Sequence, residues 1–223
     1  MRSDMDIQKD IVAELKWDPS LRDDDVAVSV RDGVVTLAGF VDSFSDKWKA
    51  ERIAGQVKGV KAIANDVEVR LPSSSARTDP EIARAVLENL KWNVNVPDDR
   101  IKVKVSNGWV TLEGDVDWYY QKEAAENAVR DTVGVKGVTN MISIRSRPSP
   151  SGLKERIREA LQRGAIFDAD RITVEVEGTK AILRGTVRSY VEMRDAERAV
   201  RAAPGITEVE NRLTVDPSVF TAV

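Results

Sequence analysis

Neither cysteine nor histidine occurs in the 223 residues. The two absences remove disulfides, thiolate nucleophiles, imidazole bases and the commonest transition-metal ligands together. Aromatic residues are scarce at 5% of the chain. No run approaches the ~20 apolar residues that a membrane helix needs, so a membrane-spanning chain is not expected. The net charge is -3 and no third of the chain is strongly basic, which sets aside a general nucleic-acid binder. There is no glycine loop of the kind that cradles phosphate and no recurrent acid–base pair. The sequence therefore reads as non-catalytic, with no cofactor and no metal site expected. Met1 to Asp6 runs straight into a helical pattern without an apolar signal region or a lipidation cysteine. As written this predicts a cytoplasmic protein, or a periplasmic one if a leader was removed.

What the sequence does contain is a repeat. Gly33-Val34-Val35-Thr36-Leu37-Ala38-Gly39 and Gly108-Trp109-Val110-Thr111-Leu112-Glu113-Gly114 are near copies, and Ala181-Ile182-Leu183-Arg184-Gly185 is a third. Measured from the anchors Gly39, Gly114 and Gly185, the residues Gly59, Gly134 and Gly205 fall at one common interval. Asn65, Asn140 and Asn211 fall at another. Stretches rich in proline and serine at residues 71–78 and 146–152 mark linkers. The expected modules are 1–71, 79–146 and 150–223.

Each module reads as helix, strand, strand, helix, strand. Ile7, Ile11 and Leu15, then Ile82, Val86 and Leu90, then Leu153, Ile157 and Leu161 form one inward stripe per first helix. Asp4 and Asp79 are placed as N-caps, the latter followed by Pro80. Alternating valines around Asp32-Gly33 and Asn107-Gly108 predict two-residue hairpins. Gly178 sits one position earlier relative to its anchor, which predicts a differently shaped turn in the third module. The second helices carry Ala50, Ile53, Ala54 and Val57 and their counterparts, a stripe of mostly small residues. A helix is expected to press on the bare backbone of Gly39, Gly114 and Gly185. The fold class is α+β: three tandem α-β-β-α-β modules, each a small three-stranded mixed sheet with two helices on one face.

This pattern resembles the BON domain, a bacterial module of osmotic-stress and envelope proteins. The resemblance rests on G-x-V-T-L-x-G-x-V and on the later run from Gly134-Val135 through Asn140 to Ile144. It implies a stress- or envelope-associated binding protein, contacting phospholipid surfaces or an envelope protein. It leaves open a cytoplasmic binder or sensor of a small cation such as potassium, and a protein–protein scaffold. It supplies no ligand residues and no oligomeric state.

Candidate interaction residues come from the chain itself. Trp118-Tyr119-Tyr120 opens the second helix of module two, and Trp48 follows the matching position in module one. Trp118 and Tyr120 do not recur and suit a lipid or protein contact. Phe44, Tyr119 and Tyr190 recur and are read as core. Lys47, Lys49 and Lys122 stand beside these aromatics and could reach anionic headgroups. Trp109 points to the outer face of its strand and, with Phe40 and Ile182, is a candidate for a seam between modules. Trp17 and Trp92 are read as caps over the module edge, with lipid contact as the alternative. Asp23-Asp24-Asp25, Asp98-Asp99, and Asp168 with Asp170 are read as turn and strand-entry residues rather than a cation site. The three asparagines are given a structural role.

Overall fold

The computed structural model describes residues 2–21, 25–145, 152–163 and 171–216. Module one consists of α1 (Asp4–Trp17), β1 (Val26–Arg31), β2 (Val34–Val41), α2 (Phe44–Gln56) and β3 (Ala62–Val69). Module two consists of α3 (Asp79–Trp92), β4 (Ile101–Ser106), β5 (Trp109–Val116), α4 (Tyr119–Arg130), β6 (Gly137–Asn140) and β7 (Ser143–Ile144). Module three consists of α5 (Leu153–Arg163), β8 (Ile172–Glu177), β9 (Lys180–Val187), α6 (Tyr190–Arg201) and β10 (Glu208–Val215). The hairpin strand β2, β5 or β9 is central in each sheet. It pairs antiparallel with its predecessor and, in modules two and three, parallel with the strand after the second helix. That parallel return needs a crossover, which the second helix supplies.

The stripes read from the sequence are the ones buried. Ile7, Ile11 and Leu15 and their counterparts in the other two modules are all in the core. Modules two and three each have a hydrophobic cluster of their own, built from both helices and the inner phase of the sheet.

The hairpin turns differ as expected. Asp32 and Gly33, and likewise Asn107 and Gly108, both have positive φ, the signature of a type I′ turn. In module three Glu177 pairs with Lys180, and of the two loop residues only Gly178 has positive φ, the type II′ pattern.

Two expectations are corrected. The N-caps are Ser3 and Thr78, which pair with Asp6 and Glu81 in capping boxes. The hydroxyls of Ser3 and Thr78 hold those two carboxyls below the usual range. Asp4 and Asp79 begin their helices and reach across to the hairpins. Asp4 accepts from the N–H groups of Asp32 and Gly33 at 2.7 and 3.0 Å. Asp79 accepts from those of Asn107 and Gly108 at 2.8 and 2.9 Å. The second correction concerns the anchor glycines. A Cβ on Gly39, Gly114 or Gly185 would stand 2.0–2.2 Å from the carbonyl oxygen of Asp25, Arg100 or Arg171. What approaches the bare backbone is the residue entering the first strand, and not a helix. All three have φ between +122° and +134°, a conformation that L side chains rarely adopt.

The repeated asparagines are half-buried and tie the last strand to the second helix. Asn65 donates to Glu51 at 3.1 Å, Asn140 to Glu126 at 3.1 Å and Asn211 to Glu197 at 3.0 Å. In modules two and three the asparagine oxygen also accepts the N–H two residues on, from Ile142 and Leu213. Module two adds Lys122, whose Nζ donates to the Ile142 carbonyl at 2.7 Å. Both backbone groups of Ile142 are thus taken by side chains, and the third strand breaks there into β6 and β7.

Two compact units are distinguishable. One is Met1–Gly39, Lys49–Asp66 and Ser146–Val223; the other is Phe40–Trp48 and Val67–Arg145. In the second unit Phe44 packs against the core of module two, and Ser45 donates to Asp131 at 2.7 Å. In the first, the ring of Tyr190 lies against Gly55 of α2, where a Cβ would be 3.0 Å from it. Phe44 and Tyr190, read as core, thus pack on a module other than their own.

Candidate functional site

Where α3 ends is fixed by where it begins. Asp79 clamps its first turn to the β4–β5 hairpin, and 14 residues at ~1.5 Å each carry Trp92 ~21 Å away. At that far end β4 starts, β5 finishes and α4 opens, since Ile101 pairs with Gly114 and Tyr119 follows shortly after Val116. One end of module two thus collects Trp92, the following loop and the Trp118–Tyr120 segment.

The loop is a tight, internally bonded turn. Asn93 N–H donates to the Leu90 carbonyl, Val96 N–H donates to the Asn93 carbonyl at 2.9 Å, and the Asn93 side chain accepts from Asn95 N–H at 3.0 Å. This is an Asx-turn. Leu90 on one side and Val96 on the other are buried. The residues between them are held outward: Trp92 is 83% exposed and Val94 98%. Module one repeats the device. Asp18 accepts from Ser20 N–H at 2.9 Å, Leu21 is buried, and Trp17 is 86% exposed. The matching loop of module three lies outside the described residues. Trp17 and Trp92 are consequently not caps over the module edge, since so large an exposed fraction leaves little ring surface packed on protein. The signal was in the sequence: each lies two residues past the last stripe leucine, out of phase with the apolar face, and immediately before Asp or Asn.

An ion network braces the same end. Arg100 donates to Asp115 and to Asp117, and Arg145 pairs with Asp115. The Arg100 bond, followed by Arg145, holds the Asp115 carboxyl below its ordinary range. Gln121 accepts from the N–H groups of Asp117 and Trp118, both at 3.0 Å, and so caps α4.

The residues singled out in the sequence do not converge on one patch. Tyr120 is 52% exposed and Trp118 half-buried, both at the end of module two that carries Trp92. Trp48 is half-buried under the Arg130 guanidinium, 3.8 Å from its ring centroid. Lys47 and Lys49 are half-buried on α2, with Lys49 donating to Ser20 at 3.2 Å. Lys122 is held by Ile142 as described. Trp109 lies on the open face of its sheet, 49% exposed, and Phe40 is exposed with Arg70 over its ring at 4.5 Å. Neither ring is sealed in a seam. Ile182 is buried on the face where Lys180 bonds to Glu208 and Glu210.

Asp98 and Asp99 form one turn of 3-10 helix entering β4. Asp23, Asp24, Asp168 and Asp170 lie outside the described residues. Among the described residues no cluster of three or more Asp or Glu could hold a metal ion, and no helix is long and apolar enough to cross a membrane.

The chain is 29% identical over 146 residues to osmotically-inducible protein Y of Escherichia coli (strain K12), spanning 61% of this chain and 70% of that protein. Two solved structures of CdsD, the structural protein of the type III secretion system of Chlamydia trachomatis, align at a TM-score of 0.27. They share 16% and 15% identity, covering 95% and 97% of this chain and 92% and 100% of theirs. The BON domain model matches residues 3–70, 78–146 and 150–217. Three consecutive matches, each falling on one α-β-β-α-β unit, make this chain a member of the BON domain family.

Proposed function

We propose that this chain is a non-catalytic, stress-associated envelope protein that docks on phospholipid surfaces through the exposed end of module two. The observation that carries the reading is the Trp92–Val94 turn, which holds an indole and an isopropyl group in water between two buried anchors. A rigid apolar point gains on entering a lipid interface without first losing conformational freedom, and an indole suits that depth because its edge tolerates water. Full burial of Val94 is worth about 1.5 kcal/mol and the indole contributes more, so the contact is reversible. Tyr120 stands at the same end, and the neighbouring Lys91 is exposed and can add about 1 kcal/mol on an anionic surface. Kinship with an osmotically inducible protein supports the stress association.

The test is co-sedimentation with vesicles of phosphatidylcholine alone and with phosphatidylglycerol added. The double variant Trp92→Ser/Val94→Ser should lose about tenfold or more in bound fraction, with an unchanged unfolding midpoint because neither side chain is packed. Equal sedimentation of the two proteins would overturn the reading. A thermal shift with potassium but not sodium would move the assignment to a cation binder.

A further inference from the structure

A second exposed tryptophan, on the open sheet face of module two, stands in a setting its counterparts lack. Trp109 opens β5 and pairs in register with Gly137 on β6. A Cβ on Gly137 would fall 2.4–2.6 Å from Cζ3, Cε3 and Cη2 of the indole. The ring therefore lies against bare backbone with one face down, and its Nε1 donates to Thr139 Oγ1 at 2.8 Å. Gly137 is buried beneath it while about half of the tryptophan remains in water. The corresponding pairs in the other modules are Val34 with Ala62, and Lys180 with Glu208, which form an ion pair. The flat indole and the glycine that makes room for it occur together only in module two.

We propose that this face is a binding platform for an acidic saccharide. The indole's N–H is already used, so the ring offers a ligand only its π face, which suits the C–H-lined face of a pyranose. The Thr139 hydroxyl accepts from the indole and keeps its own hydrogen for donation. Thr111, paired with Thr139 one row further along, adds a second hydroxyl beside the ring. Thr111 also pairs with Lys104 on β4, and Lys102 follows on the same face opposite Glu113. Two exposed ammonium groups stand against Glu113, and Asp115, next on that face, is taken by Arg100 and Arg145, which favours a sugar that carries a carboxylate or sulfate. A lone platform fits one ring, whereas single-stranded nucleic acid stacks successive bases on several aromatics. This site is separate from the Trp92 turn and does not rest on the lipid reading.

The experiment follows the tryptophan indole N–H resonances of the full chain by NMR, with the Trp109 signal identified by its loss in Trp109→Phe. A panel of neutral, uronic-acid-bearing and sulfated oligosaccharides is titrated, with oligothymidylate alongside. Acidic sugars should shift the Trp109 signal saturably and neutral ones at least fivefold more weakly. Lys102→Ser/Lys104→Ser should weaken the acidic sugars fivefold or more with the fold intact. Gly137→Ser, which displaces the ring while keeping the indole, should abolish the shift, and Trp92→Ser should leave it unchanged. No shift with any sugar in the folded wild-type chain would overturn the proposal. So would a shift produced by oligothymidylate alone, or one insensitive to both the lysine and the glycine variants.

Discussion

Gly114 shows how a single residue position can be legible while its reason is not. The equal intervals pick it out, but they do not say what approaches it. The carbonyl of Arg100 does, and φ of +132° adds strain for any side chain. Gly114→Ala should therefore destabilise module two by about 3 kcal/mol or more, read by chemical denaturation, whereas Gly178→Ala, with nothing within 4 Å, should cost only the strain of its positive φ, about 1–2 kcal/mol. The asparagines were visible and given a structural role, yet their partners were overlooked. Glu51, Glu126 and Glu197 also keep a constant interval from the anchor glycines. Asn140→Ala should lower stability by about 1–2 kcal/mol, and a double-mutant cycle with Glu126→Ala should show coupling. Glu197 adds a pH dependence. Burial raises its pKa, but the bonds from Asn211 and Arg201 outweigh this and the net shift is downward. A carboxyl depressed in the folded state stabilises above the ordinary glutamate pKa of about 4.3. That contribution is lost as pH falls from there through the lower folded value. Unfolding midpoints of wild type and Glu197→Gln should therefore converge as the pH is taken down through that window.

Among the elements, helices and hairpins were readable because their signals are local: stripe period, turn residues and a capping hydroxyl followed by an acid. The role of Asp79 was not, because its acceptor function depends on a hairpin 28 residues away. Asp79→Ala removes two charge-assisted bonds to a strained turn and should destabilise module two by about 1–2 kcal/mol. Amide exchange at Asn107 and Gly108 should rise with it. The break between β6 and β7 was equally hidden: it falls at Ile142, whose carbonyl is taken by Lys122 from α4. Module three has Met193 at the matching position and module one has Lys47, yet β10 and β3 are both uninterrupted, so the lysine by itself does not make the break.

For the molecule as a whole, three modules by sequence become two compact units by packing. The opening segment of α2 belongs with module two, through Phe44 on its core and Arg130 over Trp48. Modules this small bury little surface alone. Phe44→Ala should lower the unfolding transition of module two by about 2 kcal/mol although the residue lies in module one. A fragment starting at Thr78 should melt below the same module in the full chain.

The sequence alone determined the repeat, the element order, the stripes that become core and the odd turn of the third module. Periodicity and turn chemistry act within a few residues, and the chain carries them openly. Only the tertiary structure decided which carbonyl crowds the anchor glycines and which tryptophans lie under an arginine or flat on a glycine. Those outcomes depend on groups far apart in the chain, and no local pattern records how closely folding brings them together.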